Sequence, residues 1–151
     1  MIPIGKVNPP PPTIMMDVDF GNQMLLQGYD LNCDAVPNAC SLRLVWQATT
    51  PMERNYTVFV HLVGPDGTIV AQDDAPPGPS FFPTSTWLPG TIVDQEHVLS
   101  WASDTPDGDY TLVVGIYHQP TSERLAATDT NGQSIDDVLP LTTISIVPES
   151  P

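Results

Sequence analysis

Along this chain, hydrophobic and polar residues alternate in short stretches, and turn-forming residues separate one stretch from the next. In Ser41-Leu42-Arg43-Leu44-Val45-Trp46-Gln47-Ala48, one face carries Leu42, Leu44, Trp46 and Ala48, and the other carries Ser41, Arg43, Val45 and Gln47. A period of two places every second side chain on the same side of an extended backbone, so this segment predicts a half-buried strand. Segments 14–20, 24–31, 56–63, 68–72, 91–101, 111–117, 124–128 and 139–147 have the same strand length and apolar or β-branched content. Gly21-Asn22, Pro65-Asp66-Gly67 and Asp104-Thr105-Pro106-Asp107-Gly108-Asp109 punctuate them with turn chemistry, the second as a hairpin turn.

No window of helical length shows apolar residues at three- and four-residue spacing, and 18 prolines would interrupt long helices. The sum is about nine or ten short strands, which predicts an all-β, immunoglobulin-like antiparallel β-sandwich. Two residues narrow it. Tyr110, following Asp107-Gly108-Asp109 and opening a long apolar strand, fits a tyrosine corner whose hydroxyl bonds back to upstream backbone. Trp46, in mid-strand on the apolar face, is the expected filler between the sheets. The polyproline run Asn8-Pro9-Pro10-Pro11-Pro12 marks residues 1–12 as an extended linker or arm. Residues 13–148 read as the folded domain and 149–151 as a tail.

Composition bounds the function. The 151 residues suit one domain with one sizeable core. Eighteen acidic residues face four basic ones, a formal net charge of −14, which disfavours nucleic acid and anionic membrane surfaces. No stretch approaches the length of a membrane span, and the first residues lack the apolar core of a signal peptide, so direct membrane insertion is not expected. An export signal already removed, or a domain cut from a longer protein, accounts for that start. Cys33 and Cys40 bracket a polar, proline-containing loop and read as a disulfide, with free thiols and a metal site as the alternatives. A disulfide implies an extracytoplasmic location.

Taken in order, Phe20-Gly21-Asn22-Gln23-Met24-Leu25-Leu26-Gln27-Gly28-Tyr29-Asp30, Leu42-Arg43-Leu44-Val45-Trp46-Gln47-Ala48, Tyr56-Thr57-Val58-Phe59-Val60-His61-Leu62, Pro83-Thr84-Ser85-Thr86-Trp87-Leu88-Pro89-Gly90 and the segment 107–117 form a recognisable series. Over most of 17–147 the chain resembles the extracytoplasmic β-sandwich domain attached to some bacterial multi-spanning membrane glycosyltransferases of the protein-mannosyltransferase type. The resemblance implies a sandwich outside the cytoplasm with an accessory, non-catalytic role, and it transfers no catalytic residues. The cysteine loop and the polyproline run are not part of that pattern.

Candidate chemistry is sparse. The sequence lacks a Gly-x-Ser-x-Gly elbow and a phosphate-cradling glycine loop, and His61 falls inside a strand, where packing is the ordinary role. Carboxylates are so abundant that a pair is no evidence of glycoside hydrolysis. An enzyme is therefore not expected. Calcium is the candidate cofactor, at Asp104, Asp107 and Asp109, although aspartate is also an ordinary turn residue. Ligand candidates are the aromatics Phe81, Phe82, Trp87 and Tyr117. Phe82 and Trp87 could equally turn inward and cap the core. Asn55-Tyr56-Thr57 matches an N-glycosylation sequon. The expected function is a non-catalytic accessory module of a cell-surface protein with a cell-envelope glycan or protein partner. The alternative is a structural subunit of a surface layer or filament, self-assembling through an arm in which Ile2, Ile4 and Val7 precede the proline spacer.

Overall fold

A computed structural model describes residues 9–77, 83–129 and 131–147. Eleven strands follow one another: β1 (Ile14–Phe20), β2 (Met24–Asn32), β3 (Ala39–Ala48), β4 (Thr57–Val63), β5 (Ile69–Ala75), β6 (Ile92–Ser100), β7 (Gly108–His118), β8 (Glu123–Arg124), β9 (Ala127–Thr128), β10 (Ser134–Asp136) and β11 (Leu139–Ile146). The described residues contain no α-helix, only a 3-10 turn at Thr84–Thr86. All pairings are antiparallel. One sheet has the order β10-β9-β1-β2-β3-β6, and the second has β11-β7-β4-β5 with β8 added beside β7.

The alternation read in the sequence is what closes the two sheets on each other. Leu42, Leu44 and Trp46 from β3 meet Val58, Val60 and Leu62 from β4 and Leu112, Val114 and Ile116 from β7, all but free of solvent. Each such side chain contributes roughly 1.5–3 kcal/mol by leaving water. Trp46 is fully buried at the centre, with the Phe20 ring edge-on to it at 5.5 Å. Tyr110 is a tyrosine corner: its hydroxyl donates to the Pro106 carbonyl at 2.7 Å, fixing the entry into β7. Cys33 and Cys40 form a disulfide across the β2–β3 hairpin.

Three readings change. The segment 124–128 is not one strand: Glu123–Arg124 pairs with β7 and Ala127–Thr128 with β1, so the chain crosses between sheets there. Trp87 does not face solvent. Thr84 Oγ1 donates to the Arg54 carbonyl and accepts from the Tyr56 amide, which pins the 3-10 turn to the start of β4 and lets Trp87 drop into the core at 2% exposure. The last prolines of the N-terminal run are not free either. Pro12 is buried, and Arg43 donates to the Pro10 carbonyl, so Pro9–Pro12 lies against the outer side of β2 and β3.

Candidate functional site

Residues of the second sheet that point away from the core build a shallow site. In β4, Val58, Val60 and Leu62 face inward, so Phe59 and His61 face outward. Their neighbours follow from register: Phe59 stands beside Gly115 of β7 and Asp74 of β5. Gly115 is required there. A Cβ on it would lie 2.1 Å from Phe59 Cζ, so only glycine lets the ring lie flat across β7. Tyr117, the next outward residue of β7, pairs with Arg124 of β8.

The Phe59 ring is the floor. Although it sits on an outer face it is 3% exposed, because the Arg124 guanidinium covers it at 4.6 Å from the ring centre. His61 tilts against it at 4.9 Å and Tyr117 stands at 6.1 Å. Asp74 supplies the acceptor. Tyr117 donates its hydroxyl to Asp74 Oδ2 at 3.1 Å, and His61 Nε2 is 3.8 Å from Oδ1. Arg124 also pairs with Asp137 at 3.5 Å. Phe59, His61, Asp74, Tyr117, Ser122 and Arg124 line a hollow of about 210 Å³.

Burial pushes the His61 pKa down, Asp74 opposing and Arg124 adding to the shift, so the ring is neutral at pH 7. Burial, followed by the bond to Asp74, raises the Tyr117 phenol, which stays a donor. The arrangement therefore offers an anionic acceptor, a guanidinium donor, a neutral imidazole and an aromatic wall within one small hollow.

A larger hollow of about 560 Å³ lies at the end of the sandwich, where Arg54, Asn55, Tyr56, Thr84, His118 and Gln119 contribute. Asn55 of the sequon lies before β4 rather than in it, and its Oδ1 accepts from the Ser85 amide at 3.1 Å.

Adjacent to Asp74, Asp73 points the other way. Its Oδ2 accepts from Nδ1 of His97 at 2.9 Å, joining β5 of one sheet to β6 of the other. His97 is fully buried and its Nε2 has no hydrogen-bond partner within the protein.

Of the residues singled out in the sequence, Tyr117 belongs to the site. Trp87 is core, and Phe81 and Phe82 lie outside the described residues. Asp104 and Asp107 line a separate hollow of about 360 Å³ beside Trp101, while Asp109 accepts from Ser145 Oγ at 2.7 Å. No group of three or more His, Cys, Asp or Glu among the described residues is placed to hold a metal ion. These three aspartates are turn and strand-edge residues. Phe59, His61, Asp74, Ser122 and Arg124 were not anticipated; only the i, i+2 spacing of Phe59 and His61 on a strand hinted at a shared face.

No protein-family model matches the sequence, and no curated protein matches it. Among solved structures, the chain is similar to the C-terminal domain of wzt, with a TM-score of 0.50 and 12% identity, over 91% of this chain and 85% of that one. A weaker likeness is to the ApaA protein from Bordetella pertussis, at TM-score 0.33 and 8% identity over 91% of this chain and 98% of that one; it carries no argument. The likeness to the wzt domain concerns the fold alone, and it makes the chain similar to a C-terminal β-sandwich domain without linking it to a mannosyltransferase.

Proposed function

We propose that the chain is a non-catalytic extracytoplasmic accessory module that binds saccharide on the outer face of the five-stranded sheet. The observation that carries this reading is the hollow formed by Phe59, Tyr117, Asp74 and Arg124. A sugar ring presents an apolar C–H face and a rim of hydroxyls, and it is held by an aromatic wall beside a few fixed polar groups. Gly115 and the hydrogen bond from Tyr117 to Asp74 fix those groups before a ligand arrives, which lowers the ordering cost of binding.

Two observations are compatible with an extracytoplasmic location. The cysteines pair, and no helix among the described residues is long and apolar enough to cross a membrane. A non-catalytic role is consistent with the histidine–carboxylate pairs. His61 and Asp74 stand 3.8 Å apart, beyond hydrogen bonding, and His97 of the other pair is shut inside the sandwich.

The test is affinity electrophoresis through gels containing polysaccharides, followed by calorimetry with the best oligosaccharide. Retardation that is lost in Tyr117→Ala and Asp74→Ala, with the fold intact by circular dichroism, is the expected result. Equal retardation of wild type and both variants removes the site from the reading. Tryptophan fluorescence would be a poor reporter, since Trp46 and Trp87 are buried in the core.

A further inference from the structure

The chain's cations restrict what the sheet-face hollow can hold. Only four basic residues stand against eighteen acidic ones, and the fourth, Lys6, lies outside the described residues. Each of the other three is already committed to carboxylates. Arg43 is held between Asp30 at 2.6 Å and Asp94 at 2.9 Å. Arg54 pairs with Glu123 at 3.0 Å, and Arg124 with Asp137 at 3.5 Å. An acidic ligand entering the hollow would therefore find no uncommitted guanidinium. It would have to share Arg124 with Asp137, whose carboxylate already offsets the guanidinium charge. It would do so beside Asp74 and against a net charge of −14.

A cationic ligand meets the opposite obstacle. Arg124 itself lines the hollow, and its positive charge repels a cation there. An uncharged polyol meets neither. Its hydroxyls can donate to the Asp74 carboxylate, a stronger acceptor than an amide or hydroxyl oxygen, and accept from Arg124 through N–H groups not used by Asp137. Its C–H face can rest on Tyr117, the more exposed of the two aromatic rings.

We infer that the site selects an uncharged pyranose unit of a neutral glycan, holding a pair of hydroxyls on Asp74 and discriminating against uronic-acid, phosphorylated and sulfated glycans. This inference rests on the saccharide reading above. The two can fail separately.

The experiment compares immobilised dextran, galactan, mannan and arabinoxylan with alginate, polygalacturonate and hyaluronan, and adds chitosan as a cationic control. The expected result is binding to at least one neutral polymer and to no acidic one, with affinity unchanged between low salt and about 0.5 M NaCl because no ion pair forms. Asp74→Asn should lower neutral-polymer affinity by about tenfold or more, the loss of a charge-assisted hydrogen bond. Asp137→Asn, which releases Arg124, should introduce salt-sensitive binding to alginate or polygalacturonate that the wild type lacks. Acidic polymers bound as tightly as neutral ones, or chitosan bound best with steep salt dependence, would overturn the inference and leave a carbohydrate site standing. No binding to any neutral polymer would overturn both. Chemical shifts of the His61 ring on ligand addition locate the event, so a variant that merely unfolds is not mistaken for a loss of selectivity.

Discussion

The two sheets present outer faces built by the same alternation, yet one is closed and the other open. On the six-stranded sheet, Arg43 projects outward between Asp30 and Asp94, Gln27 bonds Gln47 at 3.1 Å, and Pro10 and Pro12 lie across them. On the five-stranded sheet, Phe59 projects outward, covered by the Arg124 guanidinium and flanked by His61 and Tyr117. Each face depends on a glycine that makes room. Gly28, at φ +152°, admits the chain at Ile14 and Pro12, whose carbonyl oxygen and Cγ a Cβ would approach to 2.1 and 2.7 Å. Gly115 admits the Phe59 ring. The lesson is that the outer faces of a sandwich differ through what covers them as much as through what they carry.

Changing the two glycines breaks this comparison most sharply. Gly28→Ala would collide with backbone that cannot move without opening β1, in a conformation unfavourable for L side chains. We expect a loss of about 3 kcal/mol or more in chemical denaturation. Gly115→Ala collides with a side chain instead, so about 1–3 kcal/mol is expected. Saccharide binding should disappear as Phe59 is pushed outward, a change calorimetry would register.

Next come the arginines. Arg43→Met leaves Asp30 and Asp94 facing one another across β3, and a cost of about 1–2 kcal/mol should be measurable by urea denaturation. Arg124→Met removes an exposed pair, with side chains 43% and 44% accessible, and should cost less than about 0.5 kcal/mol while altering ligand affinity. Equal stability losses at the two arginines would remove the distinction between a closed face and an open one.

The smallest effect concerns pH. Burial holds the His97 pKa below its ordinary value of 6.5, with Asp73 opposing. The unfolded chain therefore takes up a proton before the folded one does. Stability from this residue is complete above pH 6.5 and falls as pH drops below it, towards the depressed folded value. The melting temperature measured in steps from pH 8 to about pH 5 should decline, and part of that decline should vanish in His97→Gln. His61, also depressed by burial, adds a decline of the same sign that His97→Gln leaves in place.

Much of the fold was legible because burial on one side forces a period of two. β3, β4 and β7 are long enough to repeat it several times, so Trp46 and the tyrosine corner at Tyr110 could be assigned to the core and a turn. Short strands lack that redundancy. Glu123–Arg124 and Ala127–Thr128 have two residues each, which is too few to show that they belong to different sheets. The site was less legible for a related reason. Phe59 and His61 share a face by local spacing, but Asp74 lies beyond the 68–72 stretch read as the second strand of the hairpin, and Arg124 joins them only through the strand order β8, β7, β4, which no local pattern encodes. Trp87 was ambiguous because a loop aromatic can turn either way until the Thr84 hydrogen bonds decide it.

The Cys33–Cys40 bond joins neighbouring strands of a single hairpin, and no disulfide connects the two sheets. This has a mechanical consequence. The first strand belongs to one sheet and the last to the other, so tension applied to the two ends is borne by the packed interior and the hydrogen-bonded ladders, with no covalent shortcut between the layers. When the domain is pulled out into a thread, the bond withholds only the seven-residue step from 33 to 40, roughly 20 Å of contour length beyond the 4.1 Å between the two Cα atoms. Reduction would lengthen the extended molecule by that amount and leave the force path through the two layers unaltered.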